Sequence, residues 1–118
     1  MECPICAAHQ TEKPLLNGQF WLVRSAPAAK NLTGYWLLEP KEHIESWSKL
    51  SPQAFMEYGM LLGQAVAELE QQHAPRKIYQ VAIGEQVPHL HLHLVPHYDY
   101  SLKGPEYLKL VLEQGLPG

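Results

Sequence analysis

The sequence predicts an α+β fold: a mainly antiparallel sheet packed with one long helix and a short C-terminal helix. Three observations carry this expectation. The 118 residues are 46% hydrophobic, enough for one core and too few for two. Extended and helical patterns follow in the order strand, strand, helix, strand, strand, helix, with short links between neighbouring strands. Such links suit antiparallel pairing, because a parallel pair needs a crossover of a dozen residues or more. No repeat, low-complexity tract or linker divides the chain, so residues 1–118 read as one domain.

Phe20–Arg24 and Tyr35–Glu39 are the first two strands, rich in aromatic and branched residues and framed by Asn17-Gly18, Pro27 and Pro40. Ser25 to Asn31 forms an irregular loop between them. The long helix takes Ser51 as N-cap and Pro52 as its first residue, and runs to about Gln72 before Pro75 stops it. Phe55, Tyr58, Gly59, Leu62, Val66 and Leu69 recur at three- and four-residue steps and predict the core stripe. Met56, Met60, Gly63 and Ala67 form a second, flatter stripe that is either buried in the monomer or a dimer contact. Ile78–Ala82 and His89–Val95 are the later strands, joined by a turn around Gly84-Glu85-Gln86, and Leu108–Gln114 is the short final helix.

Composition narrows the function. A net charge of −3, from nine Lys and Arg against twelve Asp and Glu, speaks against a surface for duplex DNA or RNA, so any bound nucleotide is expected to be small. The start, Met1-Glu2-Cys3-Pro4, lacks the basic and apolar regions of a secretory signal, and no run of about 18 apolar residues marks a membrane span. A cytoplasmic protein is expected, with Cys3 and Cys6 reduced and therefore metal ligands or a redox pair rather than a structural disulfide.

The densest chemistry lies in Val87-Pro88-His89-Leu90-His91-Leu92-His93-Leu94-Val95-Pro96-His97. Side chains alternate along a strand, so His89, His91 and His93 share one face while the leucines anchor the other in the core. Histidines two apart stand about 6.5–7 Å from each other at roughly 3.3 Å per residue. That spacing suits contacts along a polyphosphate or convergence on a metal. Imidazole is largely neutral yet still basic near pH 7 and can attack phosphorus, splitting one hard displacement into two easier ones. A His-x-His pair can also ligate a catalytic zinc.

Cys3-Pro4-Ile5-Cys6 has the separation that brings two thiolates of a turn to one tetrahedral zinc. With no second cysteine pair, nitrogen or carboxylate ligands must complete a closed site. His43, after the second strand, and His89 are the best donors. Alternatively, both cysteines are ordinary thiols and His43 a surface residue.

His89-Leu90-His91-Leu92-His93-Leu94-Val95 resembles the signature of the histidine triad (HIT) family, His-φ-His-φ-His-φ-φ with φ apolar. Cys3-x-x-Cys6, Pro40-Lys41-Glu42-His43 and Gly84-x-x-Val87-Pro88-His89 look like elements of its bacterial zinc-containing branch, in the family's order. The resemblance implies the α+β HIT-like fold with a mainly antiparallel sheet of about five strands, commonly a homodimer, and hydrolysis or transfer of a nucleoside monophosphate at its α-phosphorus through a covalent nucleotidyl-histidine. Dinucleoside polyphosphates, nucleoside phosphoramidates and related nucleotides are the implied substrates. The central His91 falls on the nucleophile, and His93 on the residue that contacts the phosphate oxygens or leaving group. Zinc would be structural, held by Cys3, Cys6, His43 and His89, with no catalytic metal required.

The chain departs from that pattern in three places. Ser25-Ala26-Pro27-Ala28 stands where many members hold the ribose with an acidic residue, and His97 stands where an Arg often follows the proline. The loop before the triad is short, leaving Gln86 as a candidate substrate contact or a plain turn residue. Phe20, Trp21, Tyr35 and Trp36 either flank a base or fill the core. Two rival readings follow: a non-catalytic zinc-stabilised nucleotide-binding or interaction module, and a metalloenzyme with zinc on His89, His91 and His93.

Overall fold

The computed structural model describes residues 2–113. Helix α1 (Pro4–Thr11) leads into a five-stranded sheet formed by β1 (Leu16–Asn17), β2 (Trp21–Ser25), β3 (Trp36–Pro40), β4 (Lys77–Val81) and β5 (Leu92–His97). Helix α2 (Pro52–His73) lies between β3 and β4, and α3 (Gly104–Glu113) follows β5. The spatial order is β1-β2-β3-β5-β4 and every neighbouring pair is antiparallel. The predicted α+β class with an antiparallel sheet is thus observed. Gln114, placed at the end of the last helix by the sequence, lies outside the described residues.

The two faces of the sheet do different jobs because side chains alternate along each strand. Trp21 and Val23 of β2, Trp36 and Leu38 of β3, and Leu92 and Leu94 of β5 pack with Ala54, Leu61, Ala65 and Leu69 of α2 in the main core. Their neighbours Tyr35, Leu37 and Val95 join Tyr107 and Val111 of α3 in a smaller cluster on the other side. His93, one residue from Leu92 and Leu94, belongs to that second face and lies opposite Leu37 in the register.

Helix α2 begins as predicted: the Ser51 side chain accepts from the Ala54 N–H, and Pro52 occupies the first turn. Its core stripe differs from the predicted one. Of the predicted positions Leu69 is buried, Tyr58, Leu62 and Val66 are half-buried, and Phe55 (43% exposed) and Gly59 face outward, whereas Ala54, Leu61 and Ala65, outside that stripe, are buried. The stripe is rotated because small Ala54 and Ala65 let the helix approach the sheet, and Trp21 donates its indole N–H to the Ala54 carbonyl at 2.8 Å. The second stripe is not buried in the monomer: Met56 and Met60 are 71% and 75% exposed.

Two further differences concern the site. The Cys3-x-x-Cys6 segment is not an isolated turn. Cys3 caps α1 and Cys6 lies within its first turn, with Cys3 Sγ accepting from the Cys6 N–H. The histidine strand starts at Leu92, three residues later than expected. Leu90 donates its backbone N–H to the Ile44 carbonyl at 2.7 Å, which diverts the chain from the β3 ladder before the strand begins.

Candidate active site and metal centre

His91 and His93 open onto a cavity of about 680 Å³. Its walls come from the loop before β2's partner strand (Pro27, Lys30), from β3 (Tyr35 just before it, Leu37 within it), from the β4–β5 connection (Gln86 and its neighbours) and from the end of α3. The two imidazoles lie edge to face with centroids 5.0 Å apart. Leu90, Leu92 and Leu94 are buried in the core against α2, and the alternation read from the sequence puts His93 on the opposite face of the sheet.

Hydrogen bonds settle which nitrogen of His91 is free. Its Nδ1 lies 2.7 Å from the backbone carbonyl of His89. A carbonyl only accepts, so Nδ1 carries the proton and Nε2 keeps its lone pair. This is the tautomer that a nucleophilic imidazole requires.

His93 is held in the complementary state. Its Nδ1 is 2.6 Å from the Tyr35 hydroxyl. Burial pushes the Tyr35 phenol up to about 12, and burial first, then the neighbouring His91 and Lys30, pushes His93 down to about 4. Tyr35 therefore donates to a neutral ring at neutral pH, and His93 carries its proton on Nε2. One ring offers a lone pair and the next a donor. Tyr35 is a cavity residue whose contact with His93 the sequence pattern does not reveal, since the two lie 58 positions apart. Lys30, which donates from Nζ to the Leu112 carbonyl at 2.9 Å, is a second such residue.

Of the other sequence candidates, Gln86 lines the cavity. Trp21 and Trp36 are core residues on the α2 side, and Phe20 packs half-buried against the same core. His97 is 1% exposed, stacked on the Tyr107 ring at 3.8 Å, away from the cavity walls.

Cys3, Cys6, His43 and His89 converge at the other end of the triad, their ligand atoms all within 4.8 Å of one another. His89 Nδ1 lies 3.5 Å from Cys3 Sγ and 3.4 Å from Cys6 Sγ, and His43 Nδ1 lies 3.5 Å from Cys6 Sγ. A tetrahedral ion with zinc's bond lengths, about 2.3 Å to sulfur and 2.0 Å to nitrogen, needs ligand atoms about 3.3–3.8 Å apart. The outer contacts fit as well. His89 Nε2 donates to the Pro40 carbonyl at 2.8 Å, and His43 Nε2 lies 2.9 Å from the Glu45 carboxylate. Both rings thus turn Nδ1 inward and are braced from behind, as metal-ligating histidines are. Burial holds the fully buried His89 below its ordinary value, keeping it neutral and ligand-ready. The four donors can hold a metal ion.

A buried ion-pair group supports this centre. Glu39 on β3 is fully buried and accepts from Arg24 Nε and an Arg24 terminal nitrogen at 2.7 and 3.1 Å, and lies 2.8 Å from His9 Nε2 of α1. Burial alone would raise the Glu39 carboxyl, but the His9 and Arg24 hydrogen bonds hold it below the usual range. His9 also meets the His89 ring edge to face at 5.7 Å. The charge cluster thereby pins the cysteine-bearing helix to the sheet.

A sequence model of the HIT domain matches residues 19–100. In shape the fold is similar to a HIT family protein from Bacillus anthracis, at TM-score 0.71 and 20% identity, covering 83% of this chain and 74% of that one. It is also similar to a member of the HIT family from Bacillus subtilis, at TM-score 0.72 and 16% identity, covering 100% and 99% of the two chains. A HIT family hydrolase from Clostridium thermocellum superposes at TM-score 0.62 and 18% identity, over 86% of this chain and 96% of that one. No curated protein is similar enough in sequence to match.

Proposed function

This chain belongs to the HIT domain family, and on that footing we propose that it hydrolyses or transfers nucleotides at their α-phosphorus through a covalent nucleotidyl-histidine on His91. The observation that carries the proposal is the His91 Nδ1 hydrogen bond to the His89 carbonyl, which leaves Nε2 unprotonated on the wall of a substrate-sized cavity.

In the first step the Nε2 lone pair of His91 forms an N–P bond, and the bond from phosphorus to the leaving group breaks, its electron pair departing on the leaving atom. His93 Nε2–H donates to a non-bridging oxygen or the leaving atom, and Gln86 adds a further donor. In the second step a water or acceptor oxygen bonds to phosphorus, the N–P pair returns to Nε2, and the attacking group's proton goes to solvent. Tyr35 acts on this chemistry through His93 by fixing its tautomer.

The Cys and His cluster supports membership of the zinc-containing branch. Cys3, Cys6, His43 and His89 would hold a structural zinc that cross-links α1 to the β3 exit and to the head of the triad. The exposed Met56 and Met60 of α2 support a homodimer built on that face. A Met60→Glu change should shift the mass in light scattering from dimer to monomer. Among the described residues no helix is long and apolar enough to cross a membrane.

The test of the reaction is incubation with a panel of dinucleoside polyphosphates, nucleoside phosphoramidates and sugar nucleotides, read by intact mass. Wild type should gain one nucleoside monophosphate, and His91→Ala should gain none and lose turnover by at least ~10³-fold. Tight nucleotide binding without an adduct would leave the non-catalytic binding module as the better reading.

A further inference from the structure

The leaving group can be narrowed from the charges around the cavity, an inference that rests on the reaction proposed at His91. Among the described residues lining it, Lys30 is the one cationic side chain. Neither ring of the pair is a fixed charge: His93 is kept neutral, and His91 must be neutral to attack. The two carboxylates in the lining, Glu85 and Glu113, are exposed, whereas Lys30 is half-buried.

The ammonium is also positioned. Lys30 donates from Nζ to the carbonyl of Leu112 in the last turn of α3, at 2.9 Å. That end of a helix carries partial negative charge, which favours a cation there. Of the three Nζ donors, the carbonyl takes one, and among the described residues no other acceptor takes the remaining two. The bond also holds the end of α3 against the loop that carries Lys30, so the charge is fixed in the wall instead of swinging in solvent.

A phosphoramidate or phosphodiester presents one negative charge at the reacting phosphorus. A phosphoanhydride presents at least one more on the next phosphate, and attack releases that group with an added charge on the former bridging oxygen. We propose that Lys30 binds the phosphate beyond the α-phosphorus, and that the cavity selects phosphoanhydrides over phosphoramidates with uncharged leaving groups. In the first step the bond from the α-phosphorus to the bridging oxygen breaks, its electron pair stays on that oxygen, and the Lys30 ammonium faces the departing phosphate.

Binding isolates this contact from turnover. In the His91→Ala background, calorimetry with adenosine and uridine mono- and diphosphates should show the diphosphate of at least one base bound about ten-fold or more tighter than its monophosphate. Adding Lys30→Met should remove that preference while leaving monophosphate affinity within about three-fold. Lys30→Gln keeps a donor for the Leu112 carbonyl but lacks the charge, and should behave the same; Lys30→Arg should retain the preference. Equal affinity for the two nucleotides, no diphosphate binding, or equal losses for both in Lys30→Gln would overturn the inference. The wild-type adduct measurement stands apart. An adduct without diphosphate preference removes only the Lys30 subsite, and a Lys30-dependent preference without an adduct removes only the reaction.

Discussion

His89 serves two neighbours at once: its ring faces Cys3 and Cys6 at 3.5 and 3.4 Å, and its backbone carbonyl lies 2.7 Å from Nδ1 of His91. The residue that completes the candidate metal centre is also the acceptor that sets the tautomer of the proposed nucleophile. Metal occupancy and nucleophile orientation are therefore joined through one backbone unit, without the ion touching the reacting ring.

Metal removal should reveal this coupling. Stripping zinc with a chelator, or replacing Cys6 with Ser, should cost about 2 kcal/mol or more, roughly 8 °C in Tm. Adduct formation at His91 should slow by about ten-fold rather than stop, because the support of a ligand is lost and not the nucleophile. Restoring zinc should restore both in the stripped wild type. Complete and reversible loss of chemistry with unchanged Tm would instead fit a catalytic metal on the triad.

The burial of His93 makes stability depend on acid. An unfolded histidine titrates near 6.5, while His93 in the folded chain is pushed down to about 4. Between these values the unfolded chain takes up a proton that the native ring refuses. Its contribution is thus fully present above the unfolded value and is lost as pH falls through the folded one. Melting curves from pH 7 to 4 should fall more steeply for wild type than for His93→Gln; parallel curves would contradict the assignment.

Glu57 of α2 holds the turn into β2. Its carboxylate accepts from the backbone N–H groups of Gln19, Phe20 and Trp21, each at 2.7 Å. Glu57→Ala leaves these donors without that partner and should cost about 1–3 kcal/mol in chemical denaturation. Metal content should be unchanged, since Glu57 is not among the clustered ligands.

Ala74 closes α2 in the left-handed conformation, at φ 49° and ψ 49°. A side chain there costs about 1–2 kcal/mol relative to glycine, partly offset by glycine's greater freedom when unfolded. Ala74→Gly should therefore raise stability by about 0.5–1 kcal/mol. A lower Tm for this variant would show that the Ala74 methyl contributes packing that outweighs the strain.

The alternation of histidines with leucines determined which way His93 faces, because the period of a strand is two and Leu92 and Leu94 enter the core. His89 and His91 lie ahead of the strand, and their directions depend on contacts made in the fold. Ser51-Pro52 likewise marked the start of α2 through local backbone chemistry. The rotation of α2, with Ala54 and Ala65 inward and Phe55 outward, was decided by how closely the helix approaches Trp21, which no helical periodicity encodes. The metal group was legible as cysteine spacing plus two histidines, but its inward-facing nitrogens depend on the Pro40 carbonyl and Glu45. Tyr35, Lys30 and the Glu39 cluster were decided by tertiary structure alone: hydrogen bonds between residues 15 to 82 positions apart exist only once the sheet and its helices assemble. Local sequence sets which way a side chain points; only the folded chain sets what it meets.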